Sequence, residues 1–189
     1  DYQGEYLFAS MDGILRWNPN NQTWLDSWLP SDIDNDWDDR LYTMKIVGND
    51  LWVGSYSTSG WNRDAHVIQK NGTTGNWTGW ELGTAGIPDG YPADIQVCDN
   101  IVHIAIGRYS WWGNQGGVAR FDLLDSDNDG ISNEWLTSFT EGNNNGLSDN
   151  DPRALACDEN NRILYIGYDT EGVGFDRFNY ANKQYLPIL

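Results

Sequence analysis

The 189-residue sequence predicts an all-β fold made of a repeated antiparallel sheet, and three observations predict it. The chain holds 21 Gly, 11 Trp, 10 Tyr and 5 Phe. Aromatic residues favour strands, while Gly, Asn and Asp tolerate the positive φ of tight turns. An apolar segment ending in a small residue recurs along the chain, and the segments around each copy alternate apolar with polar at a period of two.

The recurring segment is Leu7-Phe8-Ala9-Ser10, Leu51-Trp52-Val53-Gly54-Ser55, Ile104-Ala105-Ile106-Gly107 and Tyr165-Ile166-Gly167-Tyr168. With Ala9, Gly54, Gly107 and Gly167 as equivalents, the spacings are 45, 53 and 60 residues. A blade of a β-propeller takes about 40–50 residues, so the spacing reads as a blade period with insertions that grow along the chain. After each anchor comes a second alternating strand: 13–18, 66–71, 117–122 and 174–179. A third carries bulk for packing against a neighbour: Trp24 and Trp28, Trp77 and Trp80, Trp135 and Phe139, then Tyr185.

Before the second, third and fourth anchors lies one further strand, 41–47, 93–98 and 153–157. Each ends in an Asn/Asp turn of hairpin type, at Gly48-Asn49-Asp50, Asp99-Asn100 and Asp158–Asn161. The chain therefore reads as a single β-propeller module over 1–189: a partial blade over 5–30 and whole blades over 40–83, 92–141 and 151–189. The first blade lacks its inner strand, and an open sheet edge is a template for strand addition.

The run from Asn145-Gly146-Leu147 through Arg153–Asp158, Leu164–Gly167, Gly174 and Arg177-Phe178-Asn179 resembles the two-component regulator propeller repeat, with partial matches at 50–55 and 117–122. The resemblance implies four-stranded blades in a ring. It does not imply an activity, because a fold hosts many functions.

The formal charge is -17, from 11 basic and 28 acidic residues. Such a surface repels phosphate backbones and anionic lipid, so neither nucleic acid nor membrane is an expected partner. It suits calcium, cationic partners or simple solubility in an extracellular setting. No segment approaches the about 20 apolar residues of a membrane span. Asp1 rather than Met opens the sequence, which is expected of a processed product or an excised piece. Cys98 and Cys157 fit no zinc or redox spacing. They end the inner strands of consecutive blades, where strands diverge, and are expected to be two buried free thiols.

The most specific motif is Asp125-Ser126-Asp127-Asn128-Asp129-Gly130-Ile131-Ser132-Asn133-Glu134. Oxygen ligands fall at loop positions 1, 3 and 5 and a turn glycine at 6, as a hard calcium ion requires. An EF-hand needs Glu at position 12, where Leu136 stands, so the loop resembles the shorter calcium loops of thrombospondin type 3 repeats. Asp125, Asp127, Asp129, the Ile131 carbonyl and Asn133 or Glu134 would form the shell; a metal-free acidic turn is the alternative. The run from Asp32 to Asp39 also spaces carboxylates two apart but has no glycine at position 6 and reads as a solvated loop.

Asn21, Asn71 and Asn76 head N-glycosylation tripeptides in the connections between third and fourth strands. At the opposite end gather Tyr56, Trp61 and Arg63, then Arg108, Tyr109, Trp111 and Trp112, the residue types of binding hot spots. These rings either contact a ligand or pack long loops onto the blades. For catalysis the inventory is thin: His66 and His103 lie in strands, and no nucleophile elbow, phosphate loop or zinc signature is present. The leading expectation is a secreted or cell-surface, non-enzymatic propeller that binds a protein or carbohydrate ligand and is braced by calcium. The alternative is a structural subunit of an extracellular filament or assembly, completed by strand exchange. A carbohydrate-active enzyme is the third reading, since paired carboxylates abound.

Overall fold

The computed structural model describes residues 1–10, 12–29, 39–57, 65–84, 86–108, 116–125, 129–141 and 146–186. Among the described residues all regular structure is strand, in four antiparallel sheets with no helix. Sheet 1 is β1 (Tyr6–Ser10), β2 (Gly13–Asn18) and β3 (Thr23–Trp28). Sheet 2 is β4 (Asp39–Val47), β5 (Asp50–Ser57), β6 (Ala65–Lys70) and β7 (Trp77–Glu81). Sheet 3 is β8 (Tyr91–Cys98), β9 (Ile101–Gly107), β10 (Gly117–Asp122) and β11 (Glu134–Phe139). Sheet 4 is β12 (Pro152–Asp158), β13 (Ile163–Tyr168), β14 (Phe175–Asn179) and β15 (Gln184–Leu186).

Each sheet is a meander in which sequence neighbours are hydrogen-bonded neighbours. Turn chemistry sets this order. Asp99 and Asn100 both take positive φ, 50° and 67°, between the paired residues Cys98 and Ile101, which matches the right-handed twist of the strands they join. Asp158 accepts bonds from both the backbone N–H (3.0 Å) and the side-chain amide (2.7 Å) of Asn161, closing the β12–β13 turn.

The chain divides into two compact units, Asp1–Glu81 and Leu82–Leu189. In the first, Leu7, Ile14 and Trp28 of sheet 1 pack on Leu51, Val53 and Ile68 of sheet 2. The last three are completely buried, and such burial is worth roughly 1.5–3 kcal/mol per side chain. Arg16 enters this layer with its charge answered. Glu5 accepts from its Nε at 2.8 Å and from a terminal nitrogen at 2.9 Å, while the guanidinium lies 4.4 Å from the Trp28 ring centroid. Lys70 sits between the Trp28 and Trp77 rings; burial, and after it the Arg16 charge, lowers its pKa.

In the second unit, Cys98, Ala105, Val118 and Phe139 of sheet 3 meet Leu155, Leu164, Ile166 and Phe178 of sheet 4, and Leu147 joins them. The Phe139 and Phe178 rings lie 4.6 Å apart. Asp94 of β8 accepts from the backbone N–H of Leu155 in β12 at 2.7 Å, fixing the two inner strands side by side.

That contact overturns the free-thiol expectation. Cys98 and Cys157 form a disulfide with Cα atoms 5.9 Å apart. Inner strands diverge where bulky side chains hold their sheets apart. Here Ala93 and Ala105 line the junction and Asp94 draws β12 close, so Cys98 on one sheet reaches Cys157 on the next.

Candidate binding surfaces

The register of sheet 1 sorts its side chains onto two faces. Tyr6 pairs with Trp17, Trp17 with Trp24, and Phe8 with Leu15, and residues opposite each other share a face. That face points away from sheet 2, with Tyr6 50%, Phe8 48%, Leu15 40% and Trp24 60% exposed. The rings touch: Trp24 lies 5.8 Å from Phe8 and 5.1 Å from Trp17. Val53 of sheet 2 and Ile166 of sheet 4, one residue before the recurring small residue as Phe8 is in sheet 1, are completely buried. A contiguous exposed aromatic face of this kind is uncommon on a chain so acidic.

The edge beside it is open as well. Among the described residues β1 pairs only with β2, whereas β5, β9 and β13, its counterparts, each have strands on both sides. Along that edge runs a largely apolar hollow of about 280 Å³ between Tyr6, Leu7 and Phe8 on one side and Met44, Ile46 and Leu51 on the other.

The loop end of the second unit is polar and tightly tied. Asp151, 8% exposed, accepts from the Arg108 backbone N–H at 3.0 Å and from the Arg153 guanidinium at 3.0 Å. Burial raises the Asp151 pKa, the Arg108 N–H and charge oppose this, and the Asp149 and Asp169 charges add to it. The Arg108 guanidinium lies 3.7 Å from Asp149, and that of Arg153 lies 4.7 Å from the Tyr91 ring centroid. Gly107 makes this convergence possible: a Cβ there would stand 2.6 Å from the Tyr91 ring and 3.0 Å from the Asp151 carboxylate. Nearby, Asp176 is buried and accepts from the Ser148 N–H (2.7 Å), the Ser148 hydroxyl (2.5 Å) and the Tyr168 hydroxyl (2.6 Å).

Of the residues expected to bind ligand, Arg108 is at this end, and Tyr56 closes β5 against Tyr42 with ring centroids 6.0 Å apart. Trp61, Arg63, Tyr109, Trp111 and Trp112 lie outside the described residues, as do Asp127 and residues 32–38 of the second acidic run. Of the calcium loop, Asp125 accepts from the Gly130 N–H at 3.1 Å and Asp129 from the Ile131 N–H at 2.9 Å. Asn133 has φ 60° and Glu134 opens β11. No cluster of three metal-binding side chains occurs among the described residues.

Asn21 lies in the β2–β3 turn and Asn71 and Asn76 in the β6–β7 turn, with Asn21 and Asn76 exposed and Asn71 half-buried. Asn71 is engaged by its own turn, accepting from the N–H groups of Thr73 and Thr74 at 3.0 and 2.8 Å. His103 is fully buried in β9. The bare face of sheet 1 was not foreseen. Its signal was present in Tyr6, Phe8, Leu15, Trp17 and Trp24, five large apolar residues at alternate strand positions.

No protein-family model matches this chain, and neither does any curated protein.

Proposed function

We propose that this chain is a secreted or cell-surface run of propeller-type blades that works by protein association rather than catalysis, and that the open side of its first blade is the associating surface. One observation carries the reading: Tyr6, Phe8 and Trp24 stand about half exposed on a face whose counterparts in the second and fourth blades are fully buried. Full burial of an aromatic side chain is worth roughly 1.5–3 kcal/mol, so covering this face is strongly favourable. The unpaired β1 edge adds backbone donors and acceptors suited to strand addition. Calcium held by Asp125, Asp127, Asp129, Ile131, Asn133 and Glu134 would brace the β10–β11 insertion, and glycans on Asn21 and Asn76 would occupy turns away from the strand faces.

The test replaces Phe8 by the photo-crosslinker p-benzoylphenylalanine in the chain as secreted by its own cells. Covalent adducts with protein are expected. If illumination yields none while the same probe at Trp135 reports a folded chain, the surface does not associate.

A second reading has the loop end bind a protein or carbohydrate ligand through Tyr56, Trp61, Arg63, Arg108, Tyr109, Trp111 and Trp112. It is favoured by Arg108, whose main chain is anchored on Asp151 while its side chain remains 41% exposed. Arg108→Ala would abolish such binding and leave crosslinking from position 8 intact.

A further inference from the structure

Resting on the reading of sheet 1 as a protein-binding face, we infer that its partner is a second copy of this chain, which seats the outer face of its own sheet 4 on it.

Within each unit one kind of contact recurs. The face of sheet 2 that carries Leu51 and Val53 is covered by the sheet 1 face that carries Leu7, and the face of sheet 4 that carries Leu164 and Ile166 by the sheet 3 face that carries Ala105. Measured from the recurring small residue, Phe8 matches Val53 and Ile166, so the bare face of sheet 1 is of the covered kind. Tyr165 matches Leu7 and Ala105, so the outer face of sheet 4 is of the covering kind. That face is open too: Ala154, Ala156, Tyr165, Gly167 and Phe175 line a shallow apolar groove of about 260 Å³, and Phe175 is 42% exposed.

The shapes answer each other. Sheet 1 presents a ridge of rings, and sheet 4 presents Ala154, Ala156 and Gly167 beside a pair of touching rings, Tyr165 and Phe175, with centroids 6.0 Å apart. Gly167 pairs with Ala154 beside the register shift of β12, and its small size keeps the groove open at that point. Among the described residues a Cβ there would meet only Ala154, at 3.7–3.8 Å, an ordinary contact, and its φ is not in the left-handed region. Glycine inside a strand marks a bulge or a place where another backbone can approach closely, and the groove at Gly167 is open to such an approach. The charges agree as well. Asp26 lies two residues beyond Trp24 on the sheet 1 face, and Arg177, paired with Tyr165, lies on the sheet 4 face. In a chain of net charge -17, two copies meet most readily where the faces carry few charges, and here Arg177 can answer Asp26 while the acid of the sheet 4 face, Asp158, lies at its turn end. The two faces differ, so the contact is heterologous and runs head to tail.

Sedimentation velocity on the 189-residue chain tests this. Species heavier than the 21.4 kDa monomer are expected to grow between about 1 and about 100 μM, the range over which modest interfaces dissociate. Gly167→Val fills the groove and Trp24→Ser removes the ridge; each is expected to leave a folded monomer by circular dichroism. Asp26→Arg and Arg177→Asp singly are expected to weaken association by up to about fivefold, the weight of one exposed pair. An equimolar mixture of those two variants associates again, because their unaltered faces re-form the native pair and their altered faces the reversed one. Monomer throughout the range, or association unchanged by Gly167→Val, overturns the inference. Crosslinks from position 8 to a different polypeptide, with a monomeric chain, defeat this inference and leave the protein-binding reading standing; no crosslinks at all defeat both.

Discussion

His103 makes folding sensitive to mild acid. It sits in β9 between Gln96 of β8 and Arg120 of β10 and is fully buried. Its Nδ1 lies 3.1 Å from the Ile101 carbonyl, which can only accept, so that nitrogen carries the proton; Nε2 has no hydrogen-bond partner among the described residues. Burial, and after it the Arg120 charge, pushes the pKa down to about 3 from the ordinary 6.5. The folded chain therefore keeps a neutral imidazole where the unfolded chain takes up a proton. Stability is full above pH 6.5 and is lost progressively as pH falls toward 3. One pH unit inside that window costs about 1.4 kcal/mol, which amounts to about 2 kcal/mol at pH 5. Urea unfolding of the native chain and of His103→Leu, each at pH 7.5 and pH 5.0, isolates this contribution because the carboxylates are common to both. The native chain is expected to lose about 2 kcal/mol more than the variant between the two pH values. Equal losses would refute the burial argument.

Three further outcomes are expected. The Cys98–Cys157 bridge closes a span of 59 residues, so removing it as Cys98→Ala/Cys157→Ala should cost up to about 4 kcal/mol in urea unfolding; two titratable thiols in the denatured, unreduced protein would contradict the bridge. Asp176→Ala strands the Ser148 and Tyr168 donors around a buried site and should cost about 3 kcal/mol, read as a lowered thermal midpoint; an unchanged midpoint would mean that water already satisfies those groups. Calorimetric titration with calcium should show one site that Asp125→Ala/Asp129→Ala abolishes, and a heat signal indifferent to both substitutions would place any calcium elsewhere.

Local rules fix what the sequence makes legible. The anchors, the alternation and the Asp99-Asn100 turn read directly as strands and hairpins, because period and turn chemistry depend on near neighbours. Which face of a strand is covered does not. Leu7 and Phe8 are adjacent and equally apolar, yet Leu7 packs on sheet 2 and Phe8 stands 48% exposed, a difference made by residues 40 and more positions away. The disulfide was misread for the same reason: strand spacing at Cys98 depends on Asp94 meeting Leu155, a bond across 61 residues. The repeat itself conceals a distinction. Gly107 and Gly167 occupy equivalent anchors, but Gly107 is small because Tyr91 and Asp151 of its own unit leave no room for a Cβ, whereas among the described residues a Cβ on Gly167 would meet Ala154 at ordinary contact distance. One letter at one repeat position thus answers an internal demand in one sheet and borders an open groove in another, and only the packing around each tells the two apart.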